Sequence, residues 1–424
     1  MTEATFAVLA LLVLGWAITS RALTRVNISG PLLFTAAGYL LANPDWGPLS
    51  VHYEASSIHV IAEITLALLL FADASRVSIA EVKRDIRFPA RLLGLGLPMS
   101  VLLGSLLAAW LLDDISWALA GFVGATLAPT DAALSAQVIN DERIPLRIRR
   151  VLNVESGLND GIVTPVVAFT LAIAATELGK AGHHDPHGGG ALVEVAIGAA
   201  VGIALGLGSA FLIALGSRRD WIVAGGRRLA ALGAALSSFG LAVALDGNGF
   251  IAAFVAGMAF GTGWQNDSVT VEEAGELPEL LGEVLAFVVW FLFGAVLVPV
   301  AFNGLRPAVL MYALLSLTLV RLLPVALALV GTGLDRGTVL FAGWFGPRGL
   351  ASVVFALLAV EELGEVPVVV PAIAAVSLTV LLSVVLHGVS AGPLGGRYVR
   401  FEQGENVDTG PRSRRSSHHA AGAR

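Results

Sequence analysis

Cysteine is absent from this chain of 424 residues, and charged side chains make up only 14% of it. Without cysteine there is no disulfide, no thiol catalysis, no iron–sulfur cluster and no zinc–thiolate site. No segment has a basic stripe, so nucleic-acid binding has no electrostatic footprint. Soluble domains average about 25% charged residues, and so few charges cannot cover an ordinary aqueous surface. The sequence therefore excludes a soluble multidomain enzyme.

Apolar residues dominate instead, at 56% of the chain with 48 glycines besides. A membrane-spanning helix needs roughly 20 mainly apolar residues, and thirteen segments meet or nearly meet that length. They are residues 4–22, 28–43, 56–74, 91–112, 115–139, 150–176, 191–216, 225–245, 249–264, 280–302, 306–330, 337–360 and 367–392. The second and ninth are short and the eighth is rich in glycine and alanine, so twelve spans remain the alternative. The prediction is an all-α polytopic membrane protein.

The positions of lysine and arginine orient these spans. Sixteen of them lie in alternate loops on one side, whereas the loops of the other side have only Lys180 and Arg306. Because basic loops remain in the cytoplasm, the amino terminus is expected outside and the carboxyl-terminal tail inside. An odd number of spans gives that result, which favours thirteen.

Seven ionisable residues fall within or close to the middle of predicted spans, although each costs at least about 2.5–3.5 kcal/mol to insert. They are Glu63, Asp73, Asp131, Glu155, Asp160, Arg321 and Arg348. Intramembrane charges that pair or line an aqueous path are typical of ion and proton transport. Transport is therefore the first hypothesis.

The sixth predicted span has a stripe of oxygen-bearing side chains. Helical i, i+4 spacing places Ser156, Asp160 and Thr164 on one face. A monovalent cation without its water needs several oxygens and one compensating negative charge. Asp160 together with Ser156 supplies both, which favours an ion site over a stripe that only joins helices.

A proline interrupts the fifth span at Pro129, in the run Leu-Ala-Pro-Thr-Asp-Ala. Proline removes a backbone donor and frees carbonyl groups, and such backbone survives at membrane depth only where it is buried or lines a cavity. Asp131 then lies at the start of a half-helix, where it either titrates or compensates the helix dipole. The backbone carbonyl of Thr130 is a candidate ion ligand in either case.

The twelfth span repeats this interruption at residues 346–349, Gly-Pro-Arg-Gly. The two interrupted spans are seven apart, as expected if spans 1–6 and 8–13 form two inverted halves. Paired broken helices in corresponding positions are typical of a transporter site. Arg348 and Arg321 need buried partners, for which Glu155 and Glu63 are available. An Arg348–Glu155 pair would be structural.

Together these residues resemble the NhaP-type branch of the monovalent cation/proton antiporter superfamily, over about residues 5–392. The matching motifs are Thr130-Asp131, the run from Glu155 to Asn159-Asp160, and the Gly-Pro-Arg-Gly break. Weaker matches include the run Leu-Phe-Ala-Asp-Ala at residues 70–74.

The resemblance implies a homodimer in the lipid of a bacterial plasma membrane, with two inverted repeats whose broken helices 5 and 12 cross. The membrane domain would cover residues 1–393. Within it a core of about 91–176 and 306–393 would move against an interface of about 4–75 and 191–303. A short cytoplasmic tail, 394–424, is expected to be disordered.

The resemblance also implies roles for single residues. Asp160 would bind either a cation or a proton, surrounded by Ser156, Thr130 and Asp131, with Glu63 as a further contact through water. Asn159 occupies the position of a second aspartate in electrogenic relatives, which implies electroneutral one-for-one exchange. The residues expected to support the site are Asn159, Glu155, Arg348 and Arg321.

The predicted function is a secondary antiporter rather than an enzyme, exchanging Na⁺ or Li⁺ for a proton. A K⁺/H⁺ antiporter is the main alternative. An intramembrane aspartyl protease that uses Asp131 and Asp160 is a remote one, because its Gly-x-Gly-Asp setting is missing here. No cofactor is expected, and nothing in the sequence supports a nucleotide-binding domain or a nucleic-acid partner.

Overall fold

The computed structural model describes residues 3–49, 55–77, 87–180, 189–263, 268–364 and 366–408. Helices account for nearly all of these residues, and no strand occurs in them. In chain order the helices are α1 (Glu3–Arg25), α2 (Gly30–Leu41), α3 (Ala55–Arg76), α4 (Arg87–Leu111), α5a (Trp117–Thr126), α5b (Ala136–Ile139), α6 (Leu146–Glu177), α7 (Gly189–Arg218), α8 (Ala224–Ala244), α9 (Gly249–Gly263), α10 (Ser268–Leu292, Phe293–Leu297 and Val298–Asn303), α11 (Pro307–Ala328), α12a (Arg336–Trp344), α12b (Leu350–Leu363) and α13 (Val370–Asp408).

Nine helices within these ranges are long and apolar enough to cross a membrane, and α2, α5a and α9 are shorter apolar helices. Each of the thirteen predicted spans corresponds to one helix, except that the fifth and twelfth each form two segments. The all-α polytopic fold and the positions of both breaks are confirmed.

The two broken helices are built alike. Side-chain oxygens of Ser116 and Asp335 accept backbone N–H bonds at the first turns of α5a and α12a, and so define where these helices begin. Both helices end just before a proline, because the residue before Pro129 or Pro347 is sterically disfavoured in the helical region. The result is two stretches of non-helical backbone, at residues 127–135 and 345–349.

Small residues bring α3, α7 and α9 into close contact. Gly202 of α7 lies against α9, where an added Cβ would approach the carbonyl oxygen of Ala252 to 2.6 Å. Gly257 of α9 lies in the same way on α3, with the carbonyl oxygen of Phe71 at 2.3 Å from such a Cβ. Backbones approach this closely in membranes only at small residues. This packing holds the end of α3 beside α6.

The last helix is longer than its hydropathy predicts. The apolar run ends near residue 392, but α13 continues as helix to Asp408. The tail expected to be disordered from residue 394 is therefore helical over its first part, because Tyr398 and Val399 are buried against Phe341 and its neighbours. Residues 409–424 lie outside the described residues.

Candidate ion-binding site

The two breaks cross and hydrogen-bond to each other. The backbone N–H of Asp131 donates to the carbonyl oxygen of Pro347 at 2.8 Å. In return the N–H of Leu350, the first residue of α12b, donates to Asp131 Oδ2 at 2.9 Å. The hydroxyl of Ser352 donates to the carbonyl oxygen of Thr126 at 2.6 Å. Each broken helix thus satisfies backbone groups that the other leaves without an intrahelical partner.

Asp131 is held by backbone donors on both of its carboxylate oxygens. Oδ1 accepts from the N–H groups of Ala133 at 2.7 Å and Leu134 at 3.3 Å, and Oδ2 accepts from Leu350. Of the two interpretations that the sequence left open, this geometry favours the structural one, in which the carboxylate compensates the helix ends.

Arg348 is completely buried and lies under the first break. Its Nη1 donates to the carbonyl oxygens of Ala128 and Pro129, the latter at 3.1 Å, and Nη2 donates to Ser316 O at 3.4 Å. The guanidinium therefore satisfies carbonyl groups that the Pro129 interruption has freed.

The expected Arg348–Glu155 pair is wrong, because Glu155 pairs with Arg321 instead. Arg321 Nη1 and Nη2 donate to Glu155 Oε1 and Oε2 at 2.5 Å and 2.9 Å, a bidentate contact. Only about a twentieth of either side chain is exposed, at 5% and 4%. The pair fixes α6 to α11 five residues before Asp160.

Two hydroxyl groups and an amide are joined by hydrogen bonds close to Asp160 on α6. Thr130 Oγ1 lies 2.9 Å from Ser156 Oγ, and Asn159 Nδ2 donates to Thr130 Oγ1 at 2.7 Å. Asn159 Oδ1 is buried without a hydrogen-bond partner in the described structure. Within the same part of the chain the carboxylate of Asp160 accepts no hydrogen bond and forms no ion pair. The site therefore presents one amide oxygen without a partner and two hydroxyl groups close to the unpaired carboxylate of Asp160.

Asp73 completes the site as a third carboxylate, which the predicted set of site residues omits. Its carbonyl oxygen and Cβ lie 3.9 Å and 4.0 Å from the Cβ position of Gly157, one turn from Asp160 on α6. The negative charges of Asp73 and Asp131 both act on Asp160. Asp73 is exposed and the other two are partly exposed, so the group opens towards the end of α3. The sequence signal that could have identified Asp73 is an aspartate within the apolar run at residues 70–74.

Glu63 is not brought into this group. It lies ten residues before Asp73 on α3, about 15 Å along the helix axis. Its Oε1 contacts His59 Nε2 at 3.0 Å, and His59 Nδ1 contacts Glu361 Oε2 of α12b at 2.7 Å. Both His59 and Glu63 line a separate cavity of about 880 Å³ between α3, α6, α7, α8, α9 and α12b.

An aromatic contact separates this cavity from Asp160. Phe254 of α9 packs on Gly161, where an added Cβ would lie 2.2 Å from the ring. The neighbouring Phe250 and Pro165 line the cavity wall. The carboxylates are thus accessible from the Asp73 side and closed by Phe254 on the other.

Replacement of Gly349 by alanine is expected to lower the stability of the crossed breaks. An added Cβ would lie 1.8 Å from Asp131 Oδ2, so the carboxylate must move and lose its bond to Leu350. Hydrogen bonds to charged groups contribute about 1.5–3 kcal/mol, and thermal unfolding of the purified protein in detergent measures that loss. Gly233→Ala on α8 is the control, since nothing lies within 4 Å of its Cβ position. Equal unfolding temperatures for Gly349→Ala and the unchanged protein would contradict the contact.

Comparison with known proteins places this architecture in a family. The family profile described as "Sodium/hydrogen exchanger, transmembrane" matches residues 8–396. The chain belongs to this family of multi-pass membrane proteins, and its resemblance to NhaP-type proteins is confirmed.

Individual relatives are distant. The chain is 24% identical over 386 residues to the K⁺/H⁺ antiporter NhaP of Alkalimonas amylolytica, which covers 89% of this chain and 64% of that protein. It is 33% identical over 150 residues to the sodium, potassium, lithium and rubidium/H⁺ antiporter of Bacillus subtilis, covering 35% of this chain and 21% of that protein. The chain therefore spans less than two thirds of these relatives.

A solved structure shares the fold. The sodium proton antiporter MjNhaP1 from Methanocaldococcus jannaschii matches with a TM-score of 0.73 at 19% identity, covering 94% of this chain and all of that one. At this identity the match establishes the fold alone.

Proposed function

We propose that this protein is an antiporter that exchanges one monovalent cation for one proton across a bacterial plasma membrane. The observation that supports it best is the unpaired carboxylate of Asp160, which lies one turn along α6 from Ser156, whose hydroxyl contacts that of Thr130 in the first break. Most charged groups at membrane depth pair with one another or with backbone carbonyl groups. An unpaired one beside oxygen ligands suits a site that must bind and release its ligand.

Competition at one carboxylate couples the two fluxes. Ionised Asp160 attracts a cation, whereas protonated Asp160 has no charge to hold one. Asn159 cannot carry a proton, and the oxygens of Asp131 already accept three backbone N–H bonds. With Asp73 at the mouth and Asp131 held by backbone groups, Asp160 is the carboxylate that exchanges its proton for a cation, so one charge moves in each direction and the cycle is electroneutral.

Access alternates between the two sides of the site. With the carboxylates accessible beside Asp73 and closed by Phe254 on Gly161, the conformation is open to the side that the basic loops assign to the cytoplasm. The opposite opening separates the core helices, residues 91–176 and 306–393, from the interface helices, residues 4–75 and 191–303. Asp73 adds negative potential at the open mouth, which raises the local cation concentration. The interface helices would also form a homodimer.

Na⁺ or Li⁺ is the proposed cation, with K⁺ as the alternative. One of the relatives described above is named for K⁺ and another for sodium, potassium, lithium and rubidium. All of these ions prefer oxygen ligands, and selectivity among them depends on cavity size and on the field strength of those ligands.

The protease alternative has less support. A protease would need Asp131 free to activate water opposite Asp160, but both of its carboxylate oxygens accept backbone N–H bonds. The family of the chain consists of exchangers.

Purified protein in proteoliposomes with an imposed pH gradient tests the proposal. Addition of Na⁺, Li⁺ or K⁺ is expected to collapse the gradient, at a rate unchanged by an imposed membrane potential of either sign because the cycle moves no net charge. Liposomes without protein are the control. No response to any of the three cations would contradict antiport, and acceleration by the potential would contradict the one-for-one stoichiometry.

A further inference from the structure

One face of α13 contacts the second break at three points. Ser383, His387 and Ser390 follow the i, i+4, i+7 spacing of a single helix face. The backbone N–H of Arg348 donates to Ser383 Oγ at 2.7 Å, and His387 Nε2 lies 2.8 Å from the carbonyl oxygen of Trp344. The indole N–H of Trp344 donates to Ser390 Oγ at 3.0 Å. Both ends of the interruption are therefore fixed to one helix.

Both ring nitrogens of His387 face backbone carbonyl oxygens. Nε2 lies 2.8 Å from Trp344 O, whereas Nδ1 lies 2.9 Å from Ser383 O and 3.3 Å from Ser383 Oγ. A carbonyl oxygen can only accept, so a proton on Nε2 makes the bond to Trp344. The Nδ1 contacts stay within α13, and the Nε2 bond is the one that joins His387 to the second break. The imidazole is buried and stacks on the Trp344 ring, with the centroids 5.1 Å apart.

The carbonyl that His387 binds is the point where the chain leaves α12a. Trp344 O also accepts the N–H of Gly346 at 2.8 Å, across a tight turn centred on Phe345. This turn sets the direction in which the backbone proceeds to Pro347. A carbonyl at a helix end has a lone pair for a second donor, and His387 provides that donor.

We propose that His387 is a positioning residue for the ion site, which sets the cation affinity through the second break. Its Nε2–H fixes the turn, the turn places the carbonyl of Pro347, and that carbonyl accepts the N–H of Asp131 next to Thr130. His387 touches neither Asp160 nor Ser156, so its effect is indirect. The inference rests on the proposed function, because it requires that the group around Thr130 binds the cation.

His387→Leu, which removes the donor at similar volume, is expected to raise the apparent KM for the cation about tenfold, because a buried carbonyl loses a partner and the break shifts. The maximal rate of exchange should change far less. His387→Gln keeps an N–H within reach of Trp344 O and is expected to restore most of the affinity. The midpoint concentration of cation for thermal stabilisation in detergent should follow the KM, which gives a readout independent of turnover.

Ser377→Ala is the matched control, since Ser377 is buried on the same helix and its hydroxyl has no hydrogen-bond partner among the residues described. The KM of this variant should stay unchanged.

A purely structural role of His387 would lower the amount of active protein and the maximal rate without changing the KM. An unchanged KM in His387→Leu overturns the proposal, and so does an equal rise in His387→Gln. If His387→Leu cannot be purified, Ser383→Ala removes the other anchor, and an unchanged KM in that variant overturns the proposal as well. Absence of exchange in the unchanged protein would instead contradict the proposed function, so the two failures are distinguishable.

Discussion

Replacement of Asp160 by asparagine is expected to abolish cation-dependent collapse of a pH gradient in proteoliposomes. The amide is almost isosteric with the carboxylate but has neither the negative charge that holds a cation nor a titrating proton. Because the carboxylate forms no ion pair in the described structure, the substitution leaves no buried cation without a partner. The variant should therefore fold normally and lose activity to the level of empty liposomes.

Asp113→Asn is the matched control, because Asp113 is exposed in the turn after α4. It should exchange cations at the rate of the unchanged protein. Thermal unfolding of both variants separates lost activity from lost structure. Undiminished exchange by a well-folded Asp160→Asn protein would rule out this carboxylate as the shared site.

Breaking the buried pair of Arg321 and Glu155 is expected to have the largest effect on stability. Arg321→Met leaves an uncompensated carboxylate, and Glu155→Gln an uncompensated guanidinium, in a place where both side chains are almost completely buried. Loss of one partner of a buried pair costs about 3–5 kcal/mol, which should appear as a large fall in unfolding temperature in detergent. The double variant removes both charges and should recover much of that loss.

Asp141→Asn provides the comparison for this pair. Asp141 pairs with Arg143 at 2.8 Å, but the arginine side chain is 67% exposed, and exposed pairs contribute little to stability. If the single variants of the buried pair unfold at the same temperature as Asp141→Asn, the proposed structural role of Glu155 and Arg321 is wrong.

The spans, the two interruptions and the oxygen-rich face of α6 were predictable from the sequence because each rests on local chemistry. Twenty apolar residues imply a span, and Pro129 and Pro347 each remove a backbone donor wherever the chain is placed. Oxygen-bearing side chains four residues apart, such as Ser156, Asp160 and Thr164, share a helix face in any packing. The grouping of Thr130 with Ser156, in contrast, was expected only from the resemblance to the antiporter superfamily.

The pairing of charges was not predictable, because it depends on how helices are placed in three dimensions. Nothing in the sequence distinguishes Arg321 from Arg348 as the partner of Glu155, since both lie in apolar runs. Glu63 and Asp73 lie on the same apolar helix, and only the packing of α3 on α6 places Asp73 beside Asp160. The extension of α13 was not predicted for a similar reason. The apolar run ends near residue 392, although the helix continues to Asp408.

The contacts of His59 have a consequence for the proposed cycle. Its bond to Glu63 stays within α3, whereas its bond to Glu361 joins α3 to α12b. In the proposed cycle, opening towards the cavity that His59 and Glu63 line moves α3 and α12b apart, so the first bond persists and the second breaks. The separation between residues 59 and 361 is then expected to report the conformational state: short while this cavity is closed off from Asp160, and long once it opens to it.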